Sequence, residues 1–106
     1  MCGIIGTLGF SFRESWVEEN LELLRRRGPD SVSSFEIDNF CTLGASRLAM
    51  VDALSRSNQP MRYASTSLVF NGEIYNYNTI KNELKKDYDF ITKSDTEVLL
   101  AILQTN

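Results

Sequence analysis

The sequence predicts an α+β fold with mostly antiparallel strands. Three observations carry that reading. Short apolar, β-branched runs stand between turn residues. Ser-x-x-Glu signatures precede two runs with helical apolar spacing. The elements then follow the order strand, helix, strands, helix, strand, helix.

Residues Cys2 to Leu8 are apolar and interspersed with glycine, which reads as a buried strand. Ser15 and Glu18 form a capping box for a helix whose Val17, Leu21 and Leu24 share one apolar face. Arg25, Arg26 and Arg27 suit the negative end of that helix, and Gly28-Pro29 stops it. Val32 to Ile37 and Phe40 to Met50 read as two strands joined by a tight turn at Asp38-Asn39. A polar loop from Asp52 to Pro60 leads to a strand at Ser67 to Phe70, which runs into Asn71-Gly72-Glu73-Ile74-Tyr75-Asn76. A helix from Asn78 to Lys86 should bury Ile80 and Leu84, and Tyr88 to Thr92 reads as a short strand. Ser94 and Glu97 form a second capping box, opening a last helix with Val98, Ile102 and the Leu99–Leu103 pair inward.

At 106 residues the chain is one domain at most, and 42% hydrophobic content with 24% charge is ordinary for a globular protein. A net charge of −3 argues against a general nucleic-acid binder. The two cysteines, Cys2 and Cys41, make neither a disulfide framework nor a zinc site, and no histidine is present to complete one. No stretch reads as a signal peptide or a membrane span, so the expectation is a cytoplasmic protein whose thiol stays reduced. The chain stops inside or just after the last helix, and a sheet of this size would expose an apolar face. The expected domain is therefore an incomplete one.

Chemistry concentrates at the start of the chain. If Met1 is removed, Cys2 carries a thiol and a free α-amino group on one residue. With no histidine in the sequence, mechanisms that borrow imidazole as general base are closed to this chain acting alone. An α-amine, with an ordinary pKa of roughly 7.7–8.0, can serve instead. Asn71 and Gly72 offer a side-chain amide and an unobstructed backbone N–H for a developing oxyanion. Arg47 can grip an α-carboxylate, Asp95 can accept from an α-ammonium, and Glu73 is a second acceptor. Plainer readings stand beside these. Arg47 could be an outward strand charge, Asp95 a helix-dipole partner, Asn71-Gly72 a hairpin turn, Arg25 to Arg27 a solvated helix end and Cys41 apolar filler.

Six motifs carry a resemblance: Met-Cys-Gly-Ile at 1–4, Arg-Gly-Pro-Asp at 27–30, Ser-Arg-Leu-Ala-Met-Val-Asp at 46–52, Gln-Pro at 59–60, Asn-Gly-Glu-Ile-Tyr-Asn at 71–76 and Ser-Asp-Thr-Glu at 94–97. In this order and spacing, over nearly the whole chain, the sequence resembles the N-terminal glutaminase domain of asparagine synthetases. That is a class II glutamine amidotransferase with an N-terminal nucleophile fold. The resemblance implies a four-layer αββα sandwich, of which residues 1–106 would be the N-terminal part. It implies that Cys2 attacks the glutamine side-chain amide, that its α-amine shuttles the proton, and that Asn71 and Gly72 form the oxyanion hole. Arg47, the backbone of Leu48, Ala49, Met50 and Val51, Asn71, Gly72, Glu73 and Asp95 would bind glutamine. No cofactor is implied for this segment. ATP and magnesium would act in a C-terminal synthetase domain, on the same or a separate chain, that amidates aspartate. The resemblance leaves room for a homodimer.

Two positions depart from the family pattern. Arg26 stands where a histidine is common before Arg-Gly-Pro-Asp, and Ala45 stands where a histidine is common two residues before the carboxylate-binding arginine. These departures leave two other readings open: a paralogue that amidates another carboxylate, in surface-sugar or secondary metabolism, and a non-catalytic glutamine-binding or docking fragment.

Overall fold

In the computed structural model, which describes residues 2–9, 14–48 and 57–105, the first strand β1 (Gly3–Leu8) pairs antiparallel with β3 (Cys41–Arg47). β3 also pairs antiparallel with β2 (Ser31–Asp38), giving a three-stranded sheet in the order β1-β3-β2. Alternation along the strands separates two faces. Leu21 of helix α1 (Glu14–Leu23) sits against Gly44 and Ile5, so α1 covers one face. Ser33 and Phe35, paired with Ala45 and Leu43, point to the other.

A second, two-stranded sheet lies on that other face. It is the hairpin of β4 (Met61–Tyr63) and β5 (Thr66–Leu68). The Arg62 guanidinium rests 3.5 Å from the Phe35 ring centroid, joining the two sheets by a cation–π contact. From its opposite face, Thr66 Oγ1 donates at 2.9 Å to Gln104 Oε1 of α3 (Asp95–Thr105). Helix α2 (Tyr77–Leu84) packs beside α3. The resulting order is α1, three-stranded sheet, hairpin, α3. The α+β class, and the αββα layering that the family resemblance implied, are both present in the described residues.

Several local expectations need correction. Helix α1 begins at Glu14, so Ser15 lies inside the first turn, whereas a cap must be the last residue outside it. The helix ends at Leu23, ahead of the arginines. Leu24, Arg25, Arg27 and Gly28 then donate to carbonyls three residues back at 2.9–3.1 Å, a tightened turn that takes up the helix's terminal carbonyls. The β2–β3 turn sits one residue later than expected, at Asn39-Phe40, where Asp38 Oδ1 accepts from the Phe40 N–H at 2.7 Å. β3 ends at Arg47 rather than Met50, and Leu48 is outside the ladder.

β4 was not foreseen at all. Its turn places Ala64 at φ 49°, a left-handed conformation for which alanine gives no sequence signal. Tyr88 to Thr92 form no strand, because the Ile91 and Thr92 amides donate to the Glu97 carboxylate at 3.0 and 2.7 Å instead of to a neighbouring strand. Ile80 and Leu84 are only half-buried, and α2 fully buries no residue. In α3 the buried positions run from Asp95 to Val98 and include Leu100 and Ala101, while Leu103 is exposed and Leu99 and Ile102 are half-buried. Ile102 is thus only partly inward. The first part of the expected polar loop, residues 52–56, lies outside the described residues.

Candidate active site

Cys2 precedes β1, and the start of that strand is held from two sides. Ser46 Oγ accepts from the Gly3 N–H at 3.2 Å and donates to the Leu24 carbonyl at 2.9 Å, joining β1, β3 and the turn after α1. Arg27 Nε donates to the Cys2 carbonyl at 3.5 Å. The Leu48 N–H points at Cys2 Sγ from 3.4 Å, and Sγ in turn lies 3.9 Å from the Leu48 carbonyl. Both cysteines are free thiols.

Arg47 closes β3 on the face away from α1, because it alternates with Ser46. It is 6% exposed, which rules out a solvated strand charge. Its Nη1 donates to Asn58 Oδ1 at 3.1 Å. The backbone around it is braced by the Arg-Gly-Pro-Asp segment. A Cβ on Gly28 would lie 2.4 Å from the Ser46 carbonyl, so only glycine allows this approach. The Asp30 N–H then donates to the Arg47 carbonyl at 3.0 Å, and Pro29 bridges Arg47.

Asn71, Gly72 and Glu73 arrive from the other half, on the exposed chain after β5. Asp95, the first residue of α3, is buried, and its Oδ2 accepts from the Ile74 N–H at 2.9 Å. The loop is thus tied to the helix start, where negative charge is favourable. Ser94 caps that helix, accepting from the Thr96 N–H at 3.1 Å. Its expected capping partner Glu97 turns elsewhere. Glu97 is 2% exposed and accepts from the amides of Ile91 and Thr92 and, at 2.5 Å, from the Thr92 hydroxyl.

One cavity of about 380 Å³ brings these parts together. Cys2, Arg47, Leu48, Asn71, Gly72, Glu73 and Asp95 all line it. Ala49, Met50 and Val51 lie outside the described residues. Cys41, Arg25 and Arg26 do not line it. Its size falls in the range of small-molecule sites, roughly 300–1,000 Å³. A thiol, a buried guanidinium, two carboxylates and strand-end amide donors around that volume can hold a zwitterion and attack its carbonyl. Gln59, Phe70, Tyr75, Ser94 and Thr96 also line the cavity, and the sequence had assigned none of them a part in the site. The signal for Gln59 was present in the Gln-Pro pair, but nothing in the sequence tells where its side chain goes.

A model of the glutamine amidotransferase domain family matches residues 1–106. The chain is 37% identical over 110 residues to glutamine-hydrolyzing asparagine synthetase 1 of Bacillus subtilis, covering 95% of this chain and 17% of the relative. It is 40% identical over 110 residues to glutamine-hydrolyzing asparagine synthetase 2 of rice, Oryza sativa, covering 98% of this chain and 18% of the relative. A third relative is amidase chry2 of Gibberella zeae, 34% identical over 89 residues, covering 81% of this chain and 13% of the relative. The chain spans about a fifth or less of the length of these curated relatives.

Proposed function

This chain belongs to the glutamine amidotransferase domain family, and from that membership we propose that it releases ammonia from glutamine with Cys2 as the nucleophile. The observation that carries the reading is the cavity itself. It draws Cys2 and Arg47 from one sheet, and Asn71, Gly72, Glu73 and Asp95 from the other half, around a single volume.

Glutamine enters with its α-carboxylate on Arg47 and its α-ammonium between Asp95 and Glu73. Its side-chain carbonyl then lies near Cys2 Sγ. With Met1 removed, the Cys2 α-amine takes the thiol proton, and sulfur bonds to the amide carbon. The carbonyl oxygen becomes an oxyanion held by the Asn71 amide and the Gly72 N–H. As the tetrahedral intermediate collapses, the C–N bond breaks and the α-ammonium returns its proton to the leaving nitrogen. Ammonia departs and a glutamyl thioester remains. Water then adds to the thioester with the α-amine as base, the C–S bond breaks, and glutamate leaves with the thiol restored.

The ammonia goes to a synthetase domain that amidates aspartate, with ATP and magnesium supplying the activation there. Among the described residues no three His, Cys, Asp or Glu side chains group to hold a metal ion. A thiol nucleophile that must stay reduced fits the cytosol. No helix among the described residues is long and apolar enough to cross a membrane. A second reading, an acceptor other than aspartate, is favoured by the likeness to a protein named an amidase and by the departures at Arg26 and Ala45.

The test is Cys2→Ala in the full-length protein, with product formation followed from glutamine and from free ammonium. Glutamine-dependent synthesis should disappear and ammonium-dependent synthesis should persist. Retained glutamine-dependent synthesis would remove Cys2 from the chemistry.

A further inference from the structure

The two halves of the cleft come from different layers, so something must set Asn71 and Gly72 in register with Cys2. We propose that Gln59 is that positioning residue. The inference rests on reading the cleft as a glutaminase site.

Gln59 is 4% exposed, and both polar atoms of its side-chain amide have partners in the helical half. Its Oε1 accepts from the Phe70 N–H at 2.6 Å, and its Nε2 donates to the Phe70 carbonyl at 3.1 Å and to Thr96 Oγ1 at 3.4 Å. A side chain thus pairs with both backbone groups of one residue, as a neighbouring strand would, two positions beyond the end of β5. Its main chain belongs to the other half, since the Gln59 carbonyl accepts from Ser33 Oγ on β2.

Phe70 carries that constraint into the site. It is the chain neighbour of Asn71, and its ring lies so close to Gly72 that a Cβ there would be 2.7 Å from it. Fixing the Phe70 backbone therefore fixes both oxyanion donors, one through the chain and one through the ring. The carboxamide offers on adjacent atoms the acceptor for the Phe70 N–H and the donor for its carbonyl. An ionised carboxylate accepts only, and would face the Phe70 carbonyl with like partial charge.

The experiment measures glutamine hydrolysis by the full-length protein carrying Gln59→Glu, Gln59→Met, Asn71→Ala, and Gln59→Glu with Asn71→Ala. Misplacing a donor by about an ångström costs on the order of 100-fold, so kcat should fall roughly 10- to 100-fold in the Gln59 variants. Glutamine KM should change little, because Arg47, Glu73 and Asp95 are left in place. Alkylation of Cys2 by iodoacetamide, which uses no oxyanion hole, should keep its rate. Because Gln59 acts through both donors, the double variant should lose clearly less than the product of the two single losses, keeping only the part of the Gln59 effect that passes through Gly72. Unchanged kcat in folded Gln59 variants would overturn the proposal. So would losses that multiply in the double variant, slowed alkylation, or a smaller folded fraction whose molecules are fully active. The glutaminase reading fails separately, if Cys2→Ala still hydrolyses glutamine.

Discussion

The half built on β1, β2, β3 and α1 is held by a backbone ladder with an apolar helix face against it, whereas the half built on β4, β5, α2 and α3 adds buried carboxylates to an apolar core of its own, Met61, Tyr88, Val98, Leu100 and Ala101. In the first, Val17 and Leu21 are buried and α1 packs on a three-stranded ladder whose β2–β3 register shifts once, between Glu36 and Asp38. In the second, Glu97 and Asp95 organise backbone amides that no strand pairs, and Lys81 Nζ donates to the Thr92 carbonyl at 2.7 Å. The difference assigns separate duties. A ladder gives Cys2 and Arg47 fixed positions, and side-chain bonds let an irregular loop present Asn71, Gly72 and Glu73 at its surface.

The comparison breaks most visibly where the apolar layer is opened. Leu21 is 0% exposed, and Leu21→Ala should cost about 2–5 kcal/mol in urea denaturation. A loss no larger than that of an exposed substitution would mean that the first half does not rest on this layer. Glu97→Gln probes the second half with no change in size. It replaces one acceptor oxygen by a donor among three donors, and should cost about 1–3 kcal/mol. Hydrogen exchange should place that loss at residues 91–97 and leave β1 to β3 protected.

A smaller effect appears at high pH. Tyr88 is pushed up to about 12, first by burial and then by the nearby Glu97 carboxylate and Tyr63. The folded state therefore keeps this phenolic proton where the unfolded chain, near its ordinary value of about 10, has lost it. The contribution is fully present below pH 10 and is lost as the pH rises from about 10 to 12. Denaturation midpoints of the natural protein and Tyr88→Phe should diverge across that window. Parallel midpoints would place Tyr88 in an ordinary aqueous setting.

The same division governs what the sequence made legible. Short apolar runs announced β1 and the β2–β3 pair, with the turn misplaced by one residue, and helical apolar spacing announced α1. The missed hairpin turns at Ala64, whose left-handed backbone leaves no compositional trace. The strand expected at Tyr88 to Thr92 failed because Glu97 captured its amides, a long-range bond that local patterning does not encode. In the site, Cys2, Arg47, Leu48, Asn71, Gly72, Glu73 and Asp95 could be picked out from motif and chemical type, and all of them line the cavity. Gln59 could not be given its part, since its role depends on which backbone its amide reaches.

The most direct measurement treats the intact natural protein with a glutamine-mimicking electrophile, diazo-oxo-norleucine, and locates the adduct by peptide mass mapping. A single adduct is expected on the sulfur of Cys2, in a peptide that begins at Cys2 with a free amine. An adduct on Cys41, no adduct, or a labelled peptide that still carries Met1 would contradict it.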